Sequence, residues 1–372
     1  MNANAHWLDE RRAEAANRFA ALGLPHRRIE DWKYSDLKTA VGSANDDGAA
    51  SWTVGNLTDG VELFDLASTA EAPAWVKAHL GTLPQNAMAS ASFAQARTGL
   101  ALRVPRNSAA GSVSLEFSGA GSTRALIVLE GGASLTLVET RAGDAFSNVG
   151  VEIVIGAHAQ LDHVRLAPYA RDAVQVEEYA MTVARDGLYR AHLFNGGAKL
   201  SRAEFQIALA AQNARAQLSG VSVLADGTHA DVTTHIVHAK GHTESTQLFK
   251  HVAGGKSRAV YQGRITVEQG ADKSDSRQTA KALLMGERAE ADLKPELEIF
   301  ADDVKCAHGA AVGDLDAGSL FYLRARGIPE AEARNMLVRA FLEEAVAEIA
   351  DETCRATVWQ AVEVALPGAM AP

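Results

Sequence analysis

Cys306 and His308 stand two residues apart in the run Asp302-Asp303-Val304-Lys305-Cys306-Ala307-His308-Gly309-Ala310, where strand-like patterning gives way to helix-like patterning. On an extended segment, positions i and i+2 face the same side, so the thiol and the imidazole can reach one soft or borderline metal, or a sulfur species. A structural zinc centre needs four ligands, and the other cysteine, Cys354, stands alone in a helical pattern. The pair is therefore half a site, and another chain must complete it.

Five of the twelve histidines, His229, His235, His238, His242 and His251, lie within 23 residues. His235 and His238 fall on opposite faces of a regular strand while His238 and His242 share one, so the run is no ready metal cage. Stacked coils would still bring His229, His242 and His251 near one another. Hydrogen-bonded structural imidazoles are the main expectation, with His235, His238 and His242 as secondary candidates for metal or sulfur handling. Gly254-Gly255-Lys256-Ser257 looks like the tail of a phosphate loop, but the position that needs the first glycine holds Lys250, and the surroundings read as strands. A turn is expected there. The acid pairs Asp302-Asp303 and Glu343-Glu344 diverge as neighbours do on any regular element, so neither makes a facing dyad. No glycine-flanked serine elbow is present.

The elements that must position these residues change along the chain. Up to about residue 98 the text is Ala-rich with helical spacing, broken by Gly23, Pro25, Pro73 and Pro84, and reads as a small, mainly helical unit (1–98). Within it, Arg27 to Leu37 carries Asp31-Trp32-Lys33-Tyr34, expected to dock as a loop with Trp32 and Tyr34 in the local core. Residues 99–313 show many short period-2 runs, such as Val113-Ser114-Leu115-Glu116-Phe117 and Val151-Glu152-Ile153-Val154-Ile155. Turn-forming residues recur near Gly131, Gly156, Gly187, Asn213, Gly227, Gly254, Gly270 and Gly286, about every 14 to 16 residues or twice that. The helices that a doubly wound sheet requires are missing. A sandwich, a barrel and a β-solenoid remain, and small turn residues with alternately polar strands favour the solenoid. From residue 314 to 372 Leu320, Phe321, Leu323, Met336, Leu337, Phe341 and Ile349 return to helical spacing, with Pro329 at a helix start. That stripe suits either a solenoid cap or a docking face.

Composition narrows the function classes. At 372 residues, 47% hydrophobic and 22% charged, the chain has enough apolar material for a large core. A net charge of −10 without a Lys/Arg cluster argues against nucleic acid or an anionic membrane as partner. Two cysteines provide no disulfide framework, which points to a reducing, cytoplasmic setting. The N-terminal residues lack a basic start followed by an apolar run, and no apolar stretch approaches the roughly 20 residues that span a bilayer. The strand repeats alone would also suit a solenoid enzyme acting on polysaccharides, but such enzymes are commonly exported and carry carboxylates or basic residues in a surface groove, and neither an export signal nor an acid cluster is evident here.

A denser set of residues narrows this further: Asp231, His235, His238, Lys250, Ser257-Arg258-Ala259-Val260, Gly263-Arg264-Ile265, Gln278, Leu283-Leu284, Pro295-Glu296-Leu297-Glu298-Ile299, Asp303 to Cys306, His308-Gly309-Ala310 and Phe321 to Ile328. Together they resemble the SufB/SufD family, non-ATPase components of the SUF iron–sulfur cluster assembly machinery. Asp31-Trp32-Lys33-Tyr34 and the Lys-Cys-x-His-Gly arrangement at Lys305 to Gly309 are similar to the SufD branch. The resemblance implies a mainly β chain, with a right-handed parallel β-helix between helical N- and C-terminal regions. It implies a non-catalytic scaffold subunit that pairs with SufB through the β-helix ends and docks the ATPase SufC through residues 314–348. Phe321, Tyr322, Arg324, Arg326, Met336 and Phe341 are the expected contacts. It further implies a transient iron–sulfur cluster shared with SufB, with His308 as the leading ligand or sulfur-path residue and Cys306 beside it. ATP would bind SufC and not this chain. The resemblance leaves room for a flavin in the assembled complex and for a homodimer of the isolated chain.

Overall fold

The computed structural model describes residues 3–42, 49–68, 71–84 and 86–371; the first two residues of the N-terminal stretch discussed above lie outside them. The period-2 runs fold into strands that alternate between two sheets, so each strand pairs in parallel with the strands one coil before and one coil after. Among the described residues each sheet has nine strands. Leu188 pairs with Gln160 and Arg215, and Asp275 with Glu244 and Lys305, spacings of 28, 27, 31 and 30 residues. These are twice the 14 to 16 residue repeat, because two strands and two turns make one coil. The fold is mainly β, a parallel β-solenoid with helices at both ends.

Alternate side chains point into the coil, and the inward set is largely apolar: Leu137, Leu161, Tyr189, Phe205, Leu218 and Phe249 belong to one continuous core. Each such side chain contributes about 1.5–3 kcal/mol by leaving water. The turns need left-handed backbone, and Asn213 (φ 61°) and Asp186 (φ 55°) supply it, residue types that tolerate that conformation.

Among the described residues four α-helices precede the coils: α1 (Ala3–Leu22), α2 (Leu37–Val41), α3 (Ala74–His79) and α4 (Ala87–Gln95). They pack on the outer face of one sheet, where Trp32, Leu37 and Met88 meet Val174, Val176 and Leu200. The Arg27 to Leu37 segment docks with Trp32 buried beneath the Arg202 guanidinium at 4.3 Å and the Ser35 hydroxyl donating to Asp231 at 2.6 Å, whereas Tyr34, expected in the local core, is only half-buried, between Lys33 and Arg258. Three helices follow the coils: α5 (Ala317–Ala325), α6 (Glu330–Val346) and α7 (Glu352–Ala369). Asp316 and Asp351 cap the first and third by accepting from Ser319 N and Cys354 N. α6 and α7 cover the outer face of the other sheet, with Val338, Leu342, Val358 and Val362 set on Val164, Phe194, Val221 and Val252. No helix among the described residues is long and apolar enough to cross a membrane.

The two ends of the solenoid are finished differently. At the first, the short strand Ser51–Gly55 pairs antiparallel with Ala109–Ser118, and Glu62–Asp65 pairs antiparallel with Thr98–Val104, so both sheet edges are covered. Runs of five and four residues hold too few alternations to be read as strands within a helical stretch. At the other end the sheets stop at Glu290–Ile299 and Lys305–Gly313, and no described strand follows either.

Candidate site at the open end of the solenoid

The two terminal edges carry different chemistry. Glu290–Ile299 alternates charges and holds Pro295, devices that discourage pairing with another strand. Lys305–Gly313, with sequence Lys-Cys-Ala-His-Gly-Ala-Ala-Val-Gly, has neither proline nor charge beyond its first residue, and none of its side chains is buried. Ile299, Phe300 and Val312 are exposed at the same end. A long unpaired edge of this kind is a template for a strand from another chain.

Cys306 and His308 lie on that edge, on one face of the strand as their spacing requires. Register places Cys306 beside Ser276 and His308 beside Gln278, and one coil deeper Ser276 lies beside Ser245 and Gln278 beside Gln247. A further coil in, the same positions hold Ala216 and Leu218. Two inward columns therefore change from apolar to hydrogen-bonding to metal-capable as they approach the opening. Their rungs are linked. His238 bonds Ser245 through Nε2 (2.9 Å) and Thr243 through Nδ1 (2.8 Å), and Ser245 bonds Ser276 (2.7 Å). In the second column Thr234 donates to Gln247 Oε1 (2.7 Å), as does the Tyr261 hydroxyl (3.1 Å), and Gln278 Nε2 donates to Tyr261 (2.9 Å). Ser245, Gln247 and Ser276 were missed in the sequence, and Gln278 stood only among the residues of the resemblance without a site role, because polar inward residues look the same as polar outward ones under simple alternation. The signal was present as Ser245-Thr246-Gln247 and Ser276-Arg277-Gln278, two coils and one coil before Cys306-Ala307-His308 respectively.

Cys306 is half-buried and packs near Ile265, Val267 and Ala271, while His308 is exposed. Burial, with the Asp275 carboxylate nearby, pushes the Cys306 thiol up, so it must lose a proton on binding a metal. A thiolate and an imidazole are both suitable donors to an iron–sulfur cluster, and two such donors leave about half of the usual four ligand positions to other groups. Among the described residues no group of three or more His, Cys, Asp or Glu side chains is placed to hold a metal.

The histidine run disperses. His235 faces outward to Thr266 (3.0 Å), and His229 bonds Ser35 (3.1 Å). His238 faces inward and is buried. His242 does not share the face of His238: it sits in the following turn with φ 59°, donating its backbone N–H to Asp272 O. His251 is buried in a neighbouring coil position beside Ser222 and Ala282. Stacking therefore does not gather His229, His242 and His251. Gly254 to Ser257 forms a turn between two strands. Cys354 is buried in α7, its thiol pushed up to about 12 by burial and Asp351, and lies in the helix–sheet core and not at the open end.

The C-terminal residues separate into two groups. α5 has no buried residue, and Phe321 and Tyr322 are 74% and 57% exposed; Met336 on α6 is also exposed. Arg326 stacks over Tyr322 (5.1 Å) and Arg324 pairs with Glu330 (3.2 Å). Phe341 faces the solenoid instead: the buried Lys250 ammonium lies over its ring at 4.3 Å and pairs with Glu344. Phe341 thus fastens α6 to the coils.

The fold and site define a class: a parallel β-solenoid closed at one end, open at the other, with a Cys/His pair on the open edge and an exposed helical face beyond it. Residues 114–341, well over half of the chain, match the family model described as SUF system FeS cluster assembly, SufBD core domain, and the chain belongs to that family. It is similar to the iron-sulfur cluster assembly protein SufD of Escherichia coli K12, 35% identical over 241 residues that take in 64% of this chain and 57% of that protein. A SufBD family protein of Synechocystis is 32% identical over 238 residues, 61% of this chain and 52% of that protein. A SufBD family protein of Mycobacterium tuberculosis H37Rv is 26% identical over 366 residues, 92% and 89% of the two chains. The alignments with the first two relatives thus span little more than half of their length. The chain is a SufD-like member of the family.

Proposed function

We propose that this chain is a non-catalytic scaffold subunit of an iron–sulfur cluster assembly complex. A SufB-type chain covers the open end of its solenoid, and a SufC-type ATPase docks on α5 and the adjoining part of α6. The observation that carries this reading is the unprotected strand Lys305–Gly313, which presents Cys306 and His308 at an edge where the other three sheet edges are covered or blunted. The nascent cluster is the cargo. It is held at the seam by His308 and Cys306 together with groups of the covering chain, and this divided coordination suits a cluster that must be passed on to an acceptor. Nucleotide is bound and hydrolysed by the ATPase subunit, whose motion reaches the solenoid through α6 and its Lys250–Glu344 and Phe341 anchorage. The soluble complex works in the cytoplasm without nucleic acid or membrane; a flavin, if the complex uses one, belongs to the assembly. Without its partner the chain covers its open end with a second copy.

Co-expression of the chain with SufB- and SufC-type partners, followed by anaerobic purification and absorption spectroscopy, tests this reading. His308→Ala should leave the complex intact and reduce cluster content several-fold, with a smaller loss for Cys306→Ser. Undiminished cluster content in His308→Ala removes His308 from the ligand set.

A further inference from the structure

His308 lies one strand above a side chain whose hydrogen bonding is left incomplete. Gln278 is 1% exposed. The Tyr261 hydroxyl donates to Gln247 Oε1, which also accepts from Thr234, and it accepts from Gln278 Nε2. In this arrangement Gln278 Oε1, at the end of the chain of bonds nearer His308, is buried and has no partner, and the same holds for Gln247 Nε2 one coil deeper. The amide is given room by Gly263, where any side chain would collide with Gln278 Nε2 and the Tyr261 hydroxyl. A buried acceptor without a donor calls for an explanation. The neighbouring column offers none of this tension, since Ser276 is already paired with Ser245 at 2.7 Å.

We propose that Gln278 is the positioning residue for His308, its Oε1 accepting a hydrogen bond from one ring N–H and leaving the other ring nitrogen free to face the covering chain. Gln278 and His308 are register partners on the same face, and strands of a sheet lie about 4.8 Å apart, within reach of two long side chains. His308 is exposed, so its ring reaches this geometry by side-chain rotation alone, without backbone movement. Histidines that ligate metals are commonly held in this way, the second ring nitrogen donating to a fixed acceptor that selects tautomer and orientation. The inference deepens the proposed role of His308 as a ligand and rests on it.

The test uses the full chain labelled with 15N-histidine, at a pH where imidazole is neutral, with the His308 ring signals assigned by their loss in His308→Ala. The wild type should show one dominant His308 tautomer. Gln278→Met, similar in length but without an acceptor, should show a mixture, and Gln278→Glu, which restores an acceptor, should return to one. With Co2+ as the metal probe, followed by its visible absorption, Gln278→Met should bind ten- to a hundredfold more weakly than wild type. A mixture of tautomers in the wild type overturns the proposal whatever the variants do, and so does an unchanged tautomer in Gln278→Met. Co2+ binding that survives His308→Ala counts instead against His308 as a ligand, and leaves the tautomer result to decide the positioning.

Discussion

Imidazoles shielded from water contribute to the acid response of this protein. His192, His229, His238 and His251 are each lowered to about 4, chiefly because burial disfavours the charged ring. The unfolded chain, whose histidines titrate near 6.5, binds these protons first, so stability present above pH 6.5 is lost as pH falls toward 4. His251 contributes without compensation, because neither of its ring nitrogens has a partner. His251→Leu should therefore equal or exceed the wild type in urea denaturation at pH 7. It should also reduce the loss between pH 6.5 and 5 by about 1–2 kcal/mol. A variant several kcal/mol less stable at pH 7 would mean that the ring is hydrogen-bonded in solution. Residue types alone made Cys306 and His308 legible, since no other thiol and imidazole stand two apart in the chain. They did not make Gln278 legible, because its inward direction and its orphaned oxygen depend on Tyr261 and Gly263.

At the scale of elements, α6 is fastened to the coils by a charged anchor at Glu344. Lys250 is 2% exposed, and Glu344 is its carboxylate partner, held below the usual carboxylate range mainly by that bond. Glu344→Ala leaves a buried ammonium with only the Phe341 ring and should cost about 1–3 kcal/mol, read as a lower midpoint in urea denaturation. An unchanged midpoint would show that water reaches Lys250. α5 is the opposite case. Phe321 and Tyr322 contribute little to the folded chain because solvent surrounds them, so Phe321→Ala with Tyr322→Ala should alter stability by no more than about 0.5 kcal/mol. The same double variant should lose co-purification of a SufC-type ATPase, and retention of that subunit would place the docking face elsewhere. Helical spacing in the sequence located both helices but could not separate these roles. Phe341 and Phe321 fit the same stripe, and only the position of the sheet decides which one is covered.

For the whole molecule the decisive asymmetry is between the ends. Two short antiparallel strands finish the first coil, and Pro295 with its charged neighbours blunts one edge of the last, so a single edge is left for pairing. Val312 lies on the same face of that edge as Cys306 and His308 and is 47% exposed. Val312→Lys should keep the chain monomeric in sedimentation at concentrations where the wild type self-associates, and should weaken capture by a SufB-type partner at least tenfold, with melting unchanged. Persistent association in the variant would move the interface away from this strand.

The sequence by itself determined the period of the coil, the helices before and after it, the docking of Trp32 and the pairing of Cys306 with His308 on one face. Each of these follows from local spacing, which strand and helix geometry convert directly into direction. Only the tertiary structure decided that the histidine run disperses, that two polar columns rise beneath Cys306 and His308, and that one end of the solenoid is closed while the other is open. Those facts depend on which residues stack one coil, some 24 to 32 positions, apart, and a chain settles that register only when the coils close on one another.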